Sequence, residues 1–334
     1  MTDTAELQHD LPAGMLEWVA EVGGGTVTRL ERHVARREAW VVDVTRPDGS
    51  VLEGFLRLER TPAGPDSATS LLKETKIIEA LARTAVPVPQ VYGRNDELHC
   101  TLFERVGGRS DIDKLTDLRQ QRAVMEDFMR VMAIMHTLDL DELGLAPYMP
   151  YHPTTPEEAA LSDVDLALRQ WDHFLSGYHD PLITYAVDWL RRNVPKTLAR
   201  VSLVQGDTGP VNFMFDGDRV NAVIDLEWGH FGDPLEDLGN FCVREFWNPS
   251  GGLDGLFRMY EELSGIPYTK SAAQYYRVQQ NVRGMIPIHQ VTVNAHPQES
   301  IAWYLAYRYV GDRATCESIA EAAGVAVERP TMPE

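Results

Sequence analysis

Three oxygen-bearing side chains at short spacing are the residues of this sequence that could do chemistry together. Asn212 follows Asp207 by five positions, and Asp225 follows Asn212 by thirteen. In phosphoryl transfer, one carboxylate accepts or orients the attacking hydroxyl, while a second carboxylate and an amide oxygen hold magnesium against the phosphates. The spacing therefore favours Asp207 as the catalytic base, and Asn212 and Asp225 as ligands of Mg²⁺.

A predicted hairpin would bring these three side chains together. The segments Asn212 to Phe215 and Val220 to Ile224 are apolar and β-branched, and the turn Asp216-Gly217-Asp218 joins them. This pattern indicates two paired strands. Residues just before and just after a hairpin meet at the same end, so the three side chains would surround a common point. The alternative is that the aspartates are turn residues and helix caps, as single aspartates often are.

The upstream elements predict a small sheet. After a polar start, four runs rich in Val, Leu and aromatic residues predict strands. A helix from about Ser67 to Thr84 interrupts them, and Pro87 and Pro89 prevent its continuation. The turn residues Arg46 to Gly49 predict that the second and third strands pair antiparallel. The four strands are Thr26 to Arg32, Ala39 to Val44, Val51 to Leu58, and Leu98 to Glu104.

Beyond Gly107 the pattern becomes helical. Methionines and a phenylalanine recur at helical spacing from Met125 to Met135 and are expected to pack in the core. We therefore predict an α+β fold with a β-rich N-terminal lobe over residues 1–105 and a helical C-terminal lobe over residues 106–334. Five further amphipathic helices are predicted at Pro156 to Ser176, Pro181 to Arg192, Gly252 to Ser264, Ser271 to Met285, and Glu299 to Ala323.

The composition limits the classes of protein. The chain has 334 residues, and its 50 acidic against 31 basic residues give a net charge of -19, which repels nucleic acids and anionic membranes. Cys100, Cys242 and Cys316 have no CxxC spacing, which argues against a structural zinc site and fits a reducing compartment. The first ten residues do not resemble a signal peptide, and no segment is apolar enough to span a membrane. We expect a cytosolic protein without nucleic-acid or membrane partners.

The central motif resembles that of a known family. Gln205-Gly206-Asp207 with Asn212, followed by Ile224-Asp225-Leu226-Glu227, is similar to the HGDxxxxN and IDxE motifs of the aminoglycoside phosphotransferase family. Gly232 to Leu238 matches the GDPxxDL stretch that usually follows. The segment around Glu74 and the segment Leu102 to Arg109 are similar to the helix C and the hinge of that family. The resemblance implies a small-molecule kinase that uses ATP or GTP and has a protein-kinase-like, two-lobed fold. It implies that residues 1–105 form the nucleotide-binding lobe and residues 106–334 the catalytic and substrate-binding lobe.

The same resemblance implies further nucleotide-binding residues. Arg57 sits where the family has a basic residue that contacts the α- and β-phosphates, and Glu74 would pair with it. An exposed strand residue is the alternative role for Arg57. Backbone groups from Glu104 to Val106 would bind the edge of adenine or guanine. Asp237 would stabilise the catalytic loop, with capping of a helix N-terminus as its alternative role.

Two features depart from the pattern of the family. Gln205 stands where His is common, and a neutral amide can still donate and accept hydrogen bonds. The turn from His33 to Glu38 has no glycine, whereas relatives usually place small residues there so that backbone N–H groups approach the phosphates. Arg36 or Arg37 would supply positive charge to the phosphates instead.

The sequence leaves the acceptor open. Seven acidic residues between Glu157 and Leu190 face one basic residue, Arg169. They would form either an acidic cleft for an aminoglycoside, an amino sugar or a choline-like amine, or a solvated helix face. Five aromatic residues could line a pocket or belong to the core, namely Trp171, Tyr178, Trp228, Trp247 and Tyr275.

Three other possibilities stay open. The segment Val204 to Pro210 is similar to a branch of the family that includes kinase domains linked to acyl-CoA metabolism, so a hydroxyacyl acceptor is an alternative. A nucleotide-binding regulator with little catalysis is a second, because the phosphate turn lacks glycine. A metal-dependent hydrolase that uses the same carboxylates is a third.

Overall fold

A five-stranded antiparallel sheet forms the N-terminal lobe. The computed structural model describes residues 11–33, 38–60, 67, 69–175, 177–245, 252–293 and 301–327. The strand order is β1-β2-β3-β5-β4, and the predicted antiparallel pairing of β2 with β3 is confirmed. The strands are β1 (Thr26–His33), β2 (Ala39–Thr45), β3 (Val51–Leu58), β4 (Val91–Asn95) and β5 (Cys100–Glu104).

This lobe contains two elements that the sequence analysis does not predict. The helix α1 (Met15–Gly23) precedes the sheet, and its residues Met15 and Val19 are fully buried against it. The strand β4 has five half-buried positions instead of alternating burial, so no period of two marks it. The helix that was predicted is α2 (Leu71–Leu81), which is shorter at both ends than the sequence pattern indicates.

The C-terminal lobe is mainly helical, as predicted. Two small antiparallel sheets lie among its helices: β6 (Ser202–Val204) pairs with β9 (His230–Gly232), and β7 (Phe213–Asp216) pairs with β8 (Arg219–Val223). The helices are α3 (Leu118–Thr137), α4 (Leu140–Leu143), α5 (Pro156–Phe174), α6 (Pro181–Arg192), α7 (Leu235–Arg244), α8 (Leu253–Ser264), α9 (Lys270–Val293) and α10 (Ile301–Ala322). The helix α9 runs beyond its predicted end and contains Pro287.

Two hydrophobic cores stabilise the fold. The smaller core joins α1 to the sheet, and the larger core joins α2 to the helical lobe. The predicted stripe on α3 belongs to the larger core, because Met125, Met129, Met132 and Met135 are all at most 1% exposed. The α+β, two-lobed architecture is therefore confirmed. Within the described ranges, no helix combines the length and the apolarity needed to cross a bilayer.

Candidate active site

The hairpin of β7 and β8 holds Asn212 and Asp225 at one end. Phe213, directly after Asn212, pairs with Val223. The Ile224 N–H donates to the Asn212 carbonyl oxygen at 3.1 Å, so the pairing extends by one residue and Asp225 follows at once. Asp225 has φ 56° and ψ 53°, a left-handed conformation that costs a non-glycine residue free energy and clusters at functional sites. The predicted hairpin is present, and its open end carries both predicted metal ligands.

The hairpin is attached to the linker that follows β5. Arg109 and Phe215 exchange two backbone hydrogen bonds of 2.9 and 2.8 Å, and Asn221 Nδ2 donates to the Gly107 carbonyl oxygen at 2.9 Å. Gly108 has φ 103°, and a Cβ there would lie 2.5 Å from the Phe215 carbonyl oxygen. Glycine is therefore required at this position, because the linker packs directly on the hairpin backbone.

Asp207 lies in the loop between β6 and β7, and both of its carboxylate oxygens have partners. Asn212 Nδ2 donates to Oδ2 at 2.8 Å, and Arg244 Nη2 donates to Oδ1 at 2.5 Å. Burial raises the pKa of the Asp207 carboxyl, but the charge and hydrogen bond of Arg244 and the other donors outweigh it, and the pKa lies below its ordinary value. Asp207 is thus an ionised acceptor in a fixed orientation, with 31% of its side chain exposed.

A second, fully buried carboxylate fixes the backbone of this loop. Asp237, in the first turn of α7, accepts hydrogen bonds from the Gln205 N–H at 2.8 Å and the Gly206 N–H at 2.9 Å. It also accepts from the Thr208 hydroxyl and from His136 Nε2, the latter at 2.9 Å. Burial raises the pKa of Asp237, but these hydrogen bonds outweigh it and hold the pKa below its ordinary value. The carboxylate therefore ties α7 to the loop.

Gln205 also fixes this loop, through hydrogen bonds of its side-chain amide to the hairpin. Its Nε2 donates to the carbonyl oxygens of Asn212 and Ile224 at 3.1 and 3.0 Å, so one amide contacts both strands of the hairpin. Gly206, next to it, has φ 78°, and a Cβ there would lie 2.6 Å from the Trp228 carbonyl oxygen. The loop conformation therefore depends on glycine at position 206.

Arg57 connects the sheet of the N-terminal lobe to the open end of the hairpin. Its guanidinium lies 2.7 Å from Glu74, 3.1 Å from Glu227 and 3.7 Å from Asp225. The side chain is 13% exposed, so the alternative of an exposed strand residue does not hold. Burial opposes the charge of Arg57, but the carboxylates of Glu74 and Glu227 outweigh it and raise the pKa of Arg57 above its ordinary value.

The other predicted nucleotide-binding residues lie near the end of β5 or outside the described residues. The Glu104 N–H donates to the Gln90 carbonyl oxygen at 2.8 Å, and the Glu104 carboxylate accepts from the Gln90 N–H at 3.0 Å. Val106 is half-buried in the linker. Arg36 and Arg37 lie outside the described residues. Binding of a nucleotide by these four residues stays a prediction.

Two arginines that the sequence analysis does not single out contact the loop. Arg283 on α9 is 5% exposed, lies 3.1 Å from Asp163 and donates to the Gly206 carbonyl oxygen. Its guanidinium carbon lies 4.8 Å from the centre of the Trp228 ring. Arg244 is the last residue of α7. No motif marks either residue, because their loop partners are 77 and 37 positions away in the sequence.

A cavity of about 760 Å³ lies beside this loop, a size typical of sites for small ligands. Asp207, Asp225 and Glu227 contribute to its lining, together with residues of α7, α9 and α10. Its lining also includes arginines and aromatic residues, namely Arg244, Arg277, Arg283, Arg313, Trp228, Trp303, Tyr304, Tyr307 and Tyr309.

The acidic segment from Glu157 to Leu190 does not line this cavity. Its carboxylates instead cap helices, form ion pairs or are exposed, which favours the alternative of a helix face over that of an acidic cleft. Glu158 and Asp180 cap α5 and α6, Asp163 pairs with Arg283, Asp165 with Arg191, and Asp188 with Arg192. Glu157 and Asp172 are exposed.

One of the five aromatic residues considered for a pocket lines the cavity, namely Trp228. Trp171 and Tyr178 stack on each other at 5.6 Å, and Tyr275 stacks on Trp189 at 6.1 Å. These three are packing residues. Trp247 lies outside the described residues.

Residues 27–275 match the phosphotransferase enzyme family designated APH. The chain belongs to this family. A putative aminoglycoside phosphotransferase from Ralstonia eutropha has a similar structure, with a TM-score of 0.71, 22% identity, and coverage of 94% of this chain and 98% of that chain. Aminoglycoside phosphotransferase APH(4)-Ia, as a thermostable mutant in complex with ADP and hygromycin B, gives a TM-score of 0.63 at 18% identity, covering 94% and 100%. These APH structures establish the kinase-like fold.

Curated relatives match the chain in sequence over part of their own length. Probable acyl-CoA dehydrogenase IBR3 from Arabidopsis thaliana is 27% identical over 307 residues, which are 78% of this chain and 32% of the relative. Acyl-CoA dehydrogenase family member 11 from Rattus norvegicus is 27% identical over 237 residues, which are 66% and 29%. The chain thus spans about a third of the length of these relatives.

Proposed function

We propose that this chain is a small-molecule kinase that transfers the γ-phosphate of ATP, or of GTP, to an acceptor hydroxyl. The convergence of Asp207, Asn212 and Asp225 at the open end of a hairpin, beside a cavity, carries the proposal. In this reaction the acceptor oxygen bonds to the γ-phosphorus while the bond from that phosphorus to the β-phosphate oxygen breaks. The hydroxyl proton passes to the Asp207 carboxylate and from there to solvent, and the nucleoside diphosphate is released.

Asp207 would orient the acceptor hydroxyl. Its carboxylate is ionised and lines the cavity, so it can accept a hydrogen bond from an alcohol that enters there. Positioning supplies most of the catalysis in phosphoryl transfer, because the transition state is loose. The hydrogen bonds that Asp237 makes with the loop support this role by fixing the backbone around Asp207.

Asn212 and Asp225 would hold Mg²⁺. Asn212 uses Nδ2 to donate to Asp207, so its Oδ1 is the atom that suits a cation. The Asp225 side chain is 40% exposed and lines the same cavity as Asp207. An amide oxygen and a carboxylate are hard ligands, and magnesium commonly completes its shell with phosphate oxygens and water. When bound, the ion would neutralise charge that develops on the phosphates.

Arg57 would contact the α- and β-phosphates. Its guanidinium lies 3.7 Å from Asp225, and Glu74 and Glu227 hold it in place. Arg36 or Arg37 would add positive charge at the phosphate turn.

The acceptor would be an aminoglycoside or another amine or sugar, as the complex of APH(4)-Ia with hygromycin B suggests for a protein of the same fold. A hydroxyacyl thioester is a second candidate. It is supported by the acyl-CoA dehydrogenases that match the chain in sequence.

Phosphoryl transfer is tested with Asp207→Asn against a panel of aminoglycosides, amines and hydroxyacyl thioesters. We expect a loss of roughly 10²- to 10⁴-fold in kcat. Asp218→Asn, an exposed aspartate in the turn of the same hairpin, is the matched control and should keep full activity. Transfer at the wild-type rate by Asp207→Asn would refute the role of this residue.

Metal-assisted nucleotide binding is tested by thermal shift. We expect ATP with magnesium to raise the Tm of the wild type, and Asp225→Asn to lose most of that shift while Asp218→Asn keeps it. A full shift without any transfer would identify a nucleotide-binding regulator. Phosphate-ester hydrolysis that survives Asp207→Asn and requires a transition metal would identify a hydrolase.

A further inference from the structure

Arg244 pairs with Asp207, the carboxylate that would orient the acceptor hydroxyl in the proposed reaction. Its Nη2 lies 2.5 Å from Asp207 Oδ1, and its Nη1 donates to the Pro210 carbonyl oxygen at 3.3 Å. Gly209 has φ 132°, and a Cβ there would lie 3.1 Å from Arg244 Cγ, so the loop packs closely along the arginine stem. The ion pair faces the cavity, with 19% of Arg244 and 31% of Asp207 exposed.

The other three arginines that line the cavity pair with carboxylates outside the loop between β6 and β7. Arg283 lies 3.1 Å from Asp163, Arg313 lies 2.6 Å from Glu317, and Arg277 pairs with Glu321. Among the described residues, the carboxylate that pairs with Arg244 is Asp207. Oδ1 of Asp207 also accepts from Asn240 Nδ2 at 3.4 Å. With two donors already on this oxygen, an acceptor hydroxyl that hydrogen-bonds to it competes with Arg244.

The competition favours one kind of acceptor. Arginine stays charged at any physiological pH and binds carboxylate or phosphate in a two-pronged geometry. An alcohol with an anionic group close to its hydroxyl gives Arg244 a new partner as the hydroxyl takes the Asp207 oxygen. A cationic acceptor places a like charge beside Arg244, and a neutral acceptor leaves the guanidinium without an equivalent partner.

Part of the remaining lining fits an apolar body, beside polar residues such as Asn240, Gln280 and Asn281. Trp228 and Trp303 provide aromatic surface, and Val243, Met285 and Ile288 provide aliphatic surface. Aromatic and aliphatic walls with a few placed charges are typical of pockets for amphipathic ligands.

We propose, on the basis of the proposed kinase function, that Arg244 is a specificity-determining residue for an anionic acceptor, in place of the amine or sugar named above. The acceptor is an alcohol that carries a carboxylate or phosphate near its hydroxyl and has an apolar body. Arg244 binds the anionic group, moves off Asp207, and so positions the hydroxyl on the catalytic carboxylate.

The test compares four alcohols with the same alkyl body: a 3-hydroxyalkanoate, its methyl ester, a hydroxyalkyl phosphate and a hydroxyalkylamine. We expect the wild type to favour an anionic member by roughly 10- to 100-fold in kcat/KM over the ester, which is the effect of one charge-assisted hydrogen bond. The acid or the phosphate, whichever has the higher value, identifies the anion. A preference of the wild type for the ester or the amine would overturn the proposal.

Variants separate specificity from structural support. Arg244→Gln should abolish the preference for the anion, because kcat/KM should fall more for the anionic alcohol than for the ester. Arg244→Lys, which keeps the positive charge, should retain part of the preference. Arg313→Gln, in the same cavity, is the matched control and should keep the preference. A preference that is unchanged in Arg244→Gln would refute the role of Arg244.

A binding measurement distinguishes failure of this proposal from failure of the kinase function. Calorimetric titration of the wild type with the 3-hydroxyalkanoate and the hydroxyalkyl phosphate, without nucleotide, should show binding that Arg244→Gln weakens at least tenfold. Such binding without phosphoryl transfer would overturn the kinase function and support the anion site. Transfer to cationic acceptors with no effect of Arg244→Gln would support the kinase function and overturn the anion site.

Discussion

Two buried aspartates in one short segment should respond in opposite ways to the same substitution. Asp237 is 0% exposed and Asp233 is 2% exposed. Asp237 accepts four hydrogen bonds, and its pKa lies below the ordinary value of 3.8. Asp233 accepts from the Leu235 N–H and the Tyr276 hydroxyl, and burial raises its pKa to about 6. Replacement by Asn removes the charge at nearly constant volume in both cases.

The contacts give the expected magnitudes. In Asp237→Asn the new NH₂ group must face two of the four donors, and each unsatisfied buried donor costs roughly 1–3 kcal/mol. The free energy of unfolding should therefore fall by about 2–6 kcal/mol. Asp233→Asn can keep both contacts, because the Tyr276 hydroxyl can accept from the amide instead of donating. The substitution also removes a buried charge. At pH 8 that charge costs about 3 kcal/mol of folding stability, because the pKa of Asp233 is raised by roughly two pH units.

The dependence on pH has opposite signs. The folded state of Asp233 binds its proton more tightly than the unfolded state, so the wild type loses stability as pH rises from about 4 to about 6. The advantage of Asp233→Asn should grow through that window and then stay constant. For Asp237 the stabilisation is present above pH 4 and is lost as pH falls through the lowered pKa, so the deficit of Asp237→Asn should be constant from pH 5 to 8.

Urea denaturation at pH 4.5, 6 and 8, followed by circular dichroism, measures both variants. The expected result is a large loss of stability for Asp237→Asn and, at pH 8, a stability of Asp233→Asn that equals or exceeds that of the wild type. Equal losses for the two variants would contradict the assignment of the charged state. A deficit of Asp233→Asn that deepens as pH rises would contradict it as well.

Four further predictions concern the nucleotide side, the loop and the catalytic carboxylate. Arg57→Ala leaves two buried carboxylates without their cation, so urea denaturation should show a free energy of unfolding lower by about 3–5 kcal/mol. Arg57→Lys should fold and should raise the KM for ATP several-fold. An unchanged KM would exclude phosphate binding by Arg57. Gly206→Ala should lower the Tm of the protein by more than Gly217→Ala does. Both glycines have positive φ, but a Cβ at Gly217 would enter open space, whereas a Cβ at Gly206 would lie 2.6 Å from a carbonyl oxygen. Similar decreases in Tm would contradict the steric argument. Arg36→Ala should raise the KM for the nucleotide, and an unchanged value would dismiss its role at the phosphate turn. Because the pKa of Asp207 lies below its ordinary value, titration of this residue should not change kcat/KM between pH 5 and 8. A rise of kcat/KM with pH in that range that disappears in Asp207→Asn would refute the lowered pKa.

The hairpin and its end residues could be predicted because their signals are local. Two β-branched runs and the turn at Gly217 determine the pairing of β7 with β8, and that pairing puts Asn212 next to Asp225. The pair of Arg57 with Glu74, 17 positions apart, was predicted from a family resemblance. Periodicity alone gives no information about that contact.

Other features could not be predicted because they depend on contacts that are distant in sequence. Arg244 and Arg283 reach the catalytic loop from α7 and α9, and nothing in the pattern of either helix distinguishes them from surface arginines. The charge of the segment from Glu157 to Leu190 does not decide between an acidic cleft and a helix face, because Asp163 forms an ion pair and Asp180 caps a helix. Net charge along a sequence does not indicate which side chains face a cavity.

In the proposed reaction, Asp207 would contribute more by orienting the hydroxyl than by removing its proton. While Arg244 is paired with it, Asp207 has a lowered pKa and is a weak base. A loose phosphoryl-transfer transition state also requires little deprotonation before the leaving bond breaks. What such a residue needs is a fixed position, which Asn212 gives to its side chain and Asp237 gives to its backbone. Loosening the loop should therefore lower kcat even with Asp207 intact, and the effects of changing Asp207 and Asp237 should not add, because both act on the same alignment.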